Sequence, residues 1–372
     1  MTAAPGSRAT VLVIGAGLIG TSLGLAARAA GHDVLLADRD AEHVAMAVAA
    51  GAGRALPAAG NGEGPGEGAV PDLVVVAVPP SAAAQVAAGA LADFPEATIT
   101  DVASVKGPVI ARLAELGADT SRFVGGHPMA GRETSGPGAA TAELFRGRPW
   151  LLTPGPDAEP HRVEQVRRFA EGTGAVVRLM PAEAHDRAVA LTSHTPQVVS
   201  SVMAARLAEA DPTLVAVAGQ GLRDVTRIAA SDPALWSDIL ATNASQVLPV
   251  IAAVQGDLAA VAEALRDEAG RTGAGTSRIE AVVAAGNRGA ASLPAKHGGA
   301  AASYAEVQVE VPDAPGALGE LFLAAGRARI NLEDVRIEHT VGRLTAIAHL
   351  YVLPEVAVDL RQALADDWPV LD

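Results

Sequence analysis

At 372 residues the chain exceeds one comfortable hydrophobic core, so two or three domains are expected. Hydrophobic residues make up 49 % and charged residues 19 %, which excludes a disordered chain, and a net charge of −14 excludes a basic nucleic-acid-binding surface. Cysteine is absent and no secretory signal opens the chain, so disulfide and thiolate chemistry are excluded and a cytoplasmic, non-membrane protein is expected.

Residues 10–38 read as a strand, a glycine turn, a helix and a second strand ending in an acid. Gly15, Gly17 and Gly20 form G-x-G-x-x-G between the apolar run Val11 to Ile14 and a helix opening at Leu18 and Ile19. The first glycine allows the tight turn, the second lets backbone approach a pyrophosphate, and the third lets the helix lie close on the strand. Free N–H groups at the helix start would face the phosphates. Asp38, at the end of the second strand, suits the hydroxyls of an adenosine ribose and would repel a 2′-phosphate. NAD is therefore the expected cofactor, although the neighbouring Arg39 could accommodate NADP.

Ala52 to Pro71 is rich in Gly, Pro and Ala and reads as a flexible loop. Leu73 to Val78 is a continuous apolar strand whose end, Val78, reaches the cofactor edge of the sheet. Helices over 81–91, 108–116 and 161–171 alternate with strands over 98–101, 123–124, 150–153 and 175–179. The alternation predicts an α/β, Rossmann-type doubly wound domain over residues 1–180.

From Pro181 the pattern changes to helices over 182–210, 214–229 and 233–256 and another to about 285, giving an all-helical domain over 181–286. Ala188 to Ala205 and Ile239 to Gln255 carry no Asp, Glu, Lys or Arg, and helices apolar around their circumference must be enclosed. About a hundred residues can hardly enclose both, so a homodimer is expected through this region. Residues 287–303 read as a linker, and 304–372 as β-α-β-β-α-β, a ferredoxin-like fold.

Ser104 and Lys106 follow the end of the 98–101 strand, where open α/β sheets bind ligands. His127 lies in the glycine-rich stretch 125–138, read as a loop. A histidine beside a nicotinamide can accept a proton as hydride leaves an alcohol, and a loop histidine can equally do no more than bond backbone. His185 and His194 are nine residues apart, half a revolution out of phase on a regular helix, so no two-histidine metal face forms and no metal is expected.

AspValAlaSerValLysGly, GlyGlyHisProMetAlaGly, LeuThrSerHisThrPro and ArgAspValThrArgIleAlaAlaSerAspProAlaLeuTrp follow the glycine turn in this order. Together the five motifs, over roughly residues 10–290, resemble the prephenate/arogenate dehydrogenase family of tyrosine biosynthesis. The resemblance implies NAD-dependent oxidative decarboxylation of prephenate, with arogenate as the alternative substrate. It gives His127 the catalytic role, Ser104 the task of holding His127 and nicotinamide in register, Arg227 a substrate carboxylate, His194 the helical wall of the site and Glu133 its closure. Trp236, after the Asp232-Pro233 helix start, packs either the pocket wall or simply the core.

ValGluValProAspAlaProGlyAlaLeuGly at 309–319 and ArgIleAsn at 329–331 resemble an ACT regulatory domain. That resemblance places Asp313, Gly316, Leu318 and Asn331 at an amino-acid pocket, with tyrosine as effector or with dimerisation as the domain's only role. Two rival readings share the nucleotide fold. A β-hydroxyacid dehydrogenase would carry a catalytic lysine in the helical domain, and Leu191 to Asn287 has none. A non-enzymatic NAD-sensing regulator would need a binding module that this acidic chain does not offer.

Overall fold

The computed structural model describes residues 8–56, 70–132, 134, 136–269, 275–293, 304–339 and 344–371; Glu133 lies outside the described residues, as does most of the expected linker. The chain divides into two compact units, residues 1–254 and 255–372.

The first unit is built on β1 (Thr10–Ile14), whose Val11, Leu12 and Val13 are fully buried because helices cover both faces of the sheet. After the glycine turn come α1 (Leu18–Ala29), β2 (Asp33–Ala37) and α2 (Ala41–Ala49). A two-residue edge strand, β3 (Arg54–Ala55), lies inside the stretch expected to be a flexible loop. Then follow β4 (Leu73–Val76), α3 (Pro80–Asp93), β5 (Thr98–Asp101), α4 (Gly107–Glu115), β6 (Phe123–Pro128), β7 (Pro149–Pro154), α5 (Pro160–Gly172) and β8 (Val176–Leu179). The eight strands are ordered β3-β2-β1-β4-β5-β6-β7-β8. All neighbours are parallel except β6 and β7, and β1 sits between β2 and β4, which creates the crevice at the switch in strand order.

Strand β6 corrects the reading of 125–138 as a loop from its start. It runs to Pro128 because it pairs with β7 from Val124 opposite Pro154 to Pro128 opposite Trp150, and this puts His127 on a strand opposite Leu151. Its two glycines are packing requirements. A Cβ on Gly126 would stand 2.7 Å from the Asp101 carbonyl oxygen, and one on Gly125 would stand 2.5 Å from Thr153 Oγ1.

A buried ion pair locks β5 to β6. Lys106 Nζ, on a wholly buried side chain, bonds the equally buried Asp101 carboxylate and donates to the Gly126 carbonyl at 2.6 Å. Asp101 Oδ1 in turn accepts the Gly126 N–H at 3.2 Å.

The helix expected over 182–210 is interrupted. It consists of α6 (Ala182–Val189), one π-helical turn (Ala190–His194) and α7 (Thr195–Ala208). The cause is Pro196, which has no N–H to donate to the carbonyl four residues back, so the preceding turn widens. The next expected helix is likewise divided into α8 (Pro212–Val215), α9 (Gln220–Thr226) and a single 3₁₀ turn at Arg227–Ala229. The third breaks at Asn243, between α10 (Pro233–Thr242) and α11 (Ala244–Ala269).

Helix α11 exposes large apolar side chains: Leu248 is 67 % and Leu258 64 % exposed. By length and composition alone, Ala244–Asp267 would also suffice to cross a membrane.

In the second unit, α12 (Thr276–Ala291) extends into the expected linker, where alanines sustain the helix past Gly286 and Gly289. Then β9 (Ala305–Pro312), α13 (Ala317–Arg327), β10 (Asp334–His339), β11 (Thr345–Val352), α14 (Ala357–Leu364) and β12 (Val370–Leu371) give the expected β-α-β-β-α-β order. The antiparallel sheet, ordered β10-β11-β9-β12, buries Val307, Val309 and Val311 against Leu321, Leu360 and Leu364.

Replacing Lys106 by Met would leave the Asp101 carboxylate buried without its cation. Urea denaturation is expected to show a loss of about 3–5 kcal/mol of stability. An unchanged midpoint would mean that the pair does not hold β5 and β6 together.

Candidate active site

The glycine turn meets the physical demands of a dinucleotide cradle. Gly15 has φ +108°, and a Cβ there would stand 2.2 Å from the Ala77 carbonyl oxygen and 3.2 Å from Val78, which packs beneath the turn. A Cβ on Gly20 would stand 1.7 Å from the Gly15 carbonyl oxygen. Around Gly17 there is nothing within 4 Å, so the space a pyrophosphate needs is open at the second glycine. Leu18 and Ile19, half-buried, form the first helical residues behind it. Asp38 is tied to this turn: one carboxylate oxygen accepts the Ala16 N–H at 2.6 Å and the other the Asp40 N–H at 2.9 Å. Arg39 beside it is exposed.

Three strands along the sheet from β1, at β6, three histidines come together. His127 Nδ1 lies 2.8 Å from His185 Nε2, with the rings edge to face at 5.0 Å between centroids. His185 Nδ1 is 2.7 Å from Asp186 Oδ1, and both His185 and Asp186 are buried. Asp186 also accepts two backbone N–H groups, from Lys106 to Oδ1 and from Gly107 to Oδ2, each at 2.8 Å. The π turn rotates His194 away from the position it would take on a straight helix. His194 therefore joins the cluster, which corrects the expectation that His185 and His194 point apart. Among the described residues no group of side chains has metal-binding geometry.

Burial, together with neighbouring His185, Lys106 and His194, holds the His127 pKa well below the ordinary 6.5. His194 is pushed down to about 4, chiefly by desolvation. Both rings are neutral at neutral pH. Asn243 Nδ2 donates to the Asp186 carbonyl at 3.0 Å and lies 3.1 Å from His194 Nδ1. The carbonyl can only accept, so Nδ2 is the amide nitrogen and His194 Nδ1 accepts from it, leaving His194 with its proton on Nε2. Trp236 stands edge to face with His194 at 6.1 Å, so it belongs to the same wall.

Ser104 Oγ is buried and has no hydrogen-bond partner among the described residues, so it makes no bond to His127 itself. An orphaned hydroxyl at the carboxyl end of a strand fits a ligand group that completes it. Arg227 is exposed on the 3₁₀ turn that packs against α7.

His185, Asp186 and Asn243 escaped sequence reasoning as site residues. The available signal was Pro196, whose missing N–H marks the wide turn that changes the helical phase.

In the second unit, Asp313 and Leu318 are exposed, and Gly316 (φ +91°) starts α13 in the left-handed conformation. Asn331 donates to Glu333 Oε1 at 2.7 Å. Because β9 and β10 both run antiparallel to β11, Asp313 after β9 and Asn331 before β10 lie at opposite ends of the sheet. One chain therefore does not gather the four expected pocket residues. A cleft of this unit, lined by Glu310, Glu320, Arg327 and Trp368 among others, contains none of them.

A dinucleotide cradle, a neutral histidine three strands along the same sheet and a helical wall carrying a second histidine define a Rossmann-type, nucleotide-dependent dehydrogenase. Comparison with known proteins narrows the class. The family model "prephenate dehydrogenase, nucleotide-binding domain" matches residues 23–179, and "prephenate dehydrogenase, dimerization domain" matches residues 181–272. The chain is 34 % identical to a probable prephenate dehydrogenase NovF of Streptomyces niveus, over 97 % of this chain and 99 % of the relative. A crystal structure of prephenate dehydrogenase from A. aeolicus in complex with hydroxyphenyl propionate and NAD+ superposes with TM-score 0.65 at 29 % identity. It covers 76 % of this chain and 98 % of its own. Synechocystis arogenate dehydrogenase superposes with TM-score 0.59 at 25 % identity, covering 76 % of this chain and 99 % of its own. The chain belongs to the prephenate dehydrogenase family.

Gly17→Ala adds a methyl to open space, and Gly20→Ala drives one into backbone. Gly17→Ala is expected to leave the thermal midpoint within about 2 °C of the parent while raising KM for the dinucleotide at least tenfold. Gly20→Ala is expected to lower the midpoint itself. Equal effects on both quantities in both variants would contradict the separate roles.

Proposed function

We propose that the chain catalyses NAD-dependent oxidative decarboxylation of prephenate to 4-hydroxyphenylpyruvate. The observation that carries this reading is a neutral His127 at the end of β6, on the same sheet as the cradle, with Nδ1 engaged by His185. NAD+, when bound, accepts the hydride. His127 draws on the hydroxyl proton of the cyclohexadienol while the hydride departs from the same carbon. The pair of electrons released as carbon dioxide leaves completes the aromatic ring, and the proton returns to the phenol oxygen. No net proton is taken up, so one histidine serves both directions of that transfer.

The remaining residues bind and orient. Gly15, Gly17 and Gly20 with Leu18, Ile19 and Val78 hold the dinucleotide, and Asp38 favours NAD over a 2′-phosphorylated cofactor. Ser104 Oγ keeps nicotinamide and His127 in register. His194, a donor at Nε2, and Trp236 wall the substrate, and Arg227 anchors one of its carboxylates through a planar fork. Glu133 keeps the closing role that its family resemblance implies. Arogenate is the second reading, favoured by the arogenate dehydrogenase among the structural neighbours. A second copy of the chain covers the exposed apolar face of α11, giving a homodimer rather than a membrane span, and the setting is the cytoplasm.

The C-terminal unit is read as an ACT-like regulatory domain with tyrosine as effector. Asn331 then completes the pocket of Asp313, Gly316 and Leu318 from another copy.

Turnover of prephenate with NAD+ is expected to exceed that of arogenate, and His127→Asn is expected to lower kcat about 10²–10⁴-fold. Because the His127 pKa is depressed, the histidine stays a base below pH 6.5. The kcat/KM profile should be flat through neutrality and fall only at more acid pH. A fall centred at 6.5 or above, or an unimpaired His127→Asn enzyme, would overturn the assignment.

Tyrosine is expected to inhibit the full-length enzyme, with Asp313→Ala weakening that inhibition at least fivefold without changing KM for prephenate. Inhibition that is purely competitive and identical in Asp313→Ala would place tyrosine in the active site and remove the regulatory role.

A further inference from the structure

We propose that His185 and Asp186 are positioning residues that fix the proton of His127 on Nδ1, so that its basic lone pair sits on Nε2 facing the substrate. The inference rests on the reading of His127 as the proton acceptor, and it follows from the direction in which hydrogen bonds can run through three linked groups.

Asp186 is the fixed end. Its carboxylate accepts the Lys106 N–H on Oδ1 and the Gly107 N–H on Oδ2, both at 2.8 Å, so the group is anchored as an acceptor. At 2.7 Å from Oδ1, His185 Nδ1 must therefore be the donor. A neutral His185 protonated at Nδ1 carries its lone pair on Nε2, and that atom lies 2.8 Å from His127 Nδ1. His127 must then donate from Nδ1, and its unprotonated nitrogen is Nε2. With His185 neutral, reversing either histidine link would set two donors or two acceptors against each other. A neutral imidazole without such a chain exchanges its proton between both nitrogens, and one of the two forms has no base where the substrate hydroxyl arrives.

The surroundings of His127 favour its neutral form. Facing His127 are His185 from α6, His194 from the π turn and Lys106 from the loop before α4. Lys106 is paired with Asp101 at the end of β5. The arrangement disfavours a resident imidazolium at His127, and the hydrogen bond between His127 Nδ1 and His185 Nε2 holds the ring in place as it takes the proton. His185 is fully buried, so it acts through His127 without touching substrate. Asp186 additionally ties α6 to the start of α4, and for that reason substitutions at 185 separate positioning from architecture better than substitutions at 186.

The test compares His185→Phe, which keeps a ring but no acceptor, with His185→Gln, whose Oε1 can accept from His127 Nδ1. With prephenate and NAD+, His185→Phe is expected to lower kcat about 10²-fold with both KM values within about twofold, and His185→Gln to recover kcat to within about tenfold of the parent. Nitrogen-15 spectra of the intact, histidine-labelled protein, assigned with His127→Asn, are expected to show His127 protonated at Nδ1 and bare at Nε2 at neutral pH. In His185→Phe they are expected to show both nitrogens averaged. The spectra of the parent decide the proposal even if His185→Phe fails to fold or prephenate is not the substrate. His127 protonated at Nε2 in the parent, or full kcat in His185→Phe, would overturn it. Absence of prephenate turnover with the expected spectra would instead count against the assigned reaction and leave the tautomer assignment standing.

Discussion

One carboxylate, Asp186, connects the two halves of the candidate site. It sits in the middle of α6 on the helical side and accepts backbone N–H groups of Lys106 and Gly107 on the sheet side, while Oδ1 also meets His185. Two backbone donors and an imidazole saturate a buried anion that would otherwise be costly to desolvate. The consequence is geometric. The loop bearing Ser104, the strand end bearing His127 and the π turn bearing His194 share a common reference, so their separations do not depend on exposed side chains.

The buried Asp101–Lys106 pair extends this frame to the other side of His127. Lys106 uses its side chain to hold Gly126 and its backbone N–H to hold Asp186, and so links both anions through one residue. A Lys in a dehydrogenase cleft invites a catalytic reading. Here its ammonium is occupied by Asp101 and a carbonyl, which assigns it to holding the strand and to keeping positive charge near His127. That charge, with burial, disfavours an imidazolium before substrate arrives, and it makes the basic form the resting one at neutral pH.

Backbone irregularity carries much of the site. The π turn before Pro196 brings His194 into register, and the break at Asn243 turns an amide toward Asp186 and His194. Both lie where a regular helix would have been expected, in keeping with the tendency of π turns to occur at functional sites. Outside the site, α11 leaves leucines exposed along its length, in a region matched by a family domain named for dimerisation.

Local rules determined a large part of this protein. The glycine spacing, the acid at 38 and the apolar strands fixed the nucleotide-binding sheet, because those features follow from turn sterics and burial on two faces. The order of the last 69 residues determined a β-α-β-β-α-β unit for the same kind of reason. His127 and Ser104 were legible through motif and position at strand ends. Tertiary structure alone decided that 125–128 is strand, that His185 lies against His127, and that Asp313 and Asn331 lie at opposite ends of one sheet. Each of these depends on hydrogen-bond partners distant in sequence, on a helical phase altered by one missing N–H, or on strand direction, none of which local periodicity encodes.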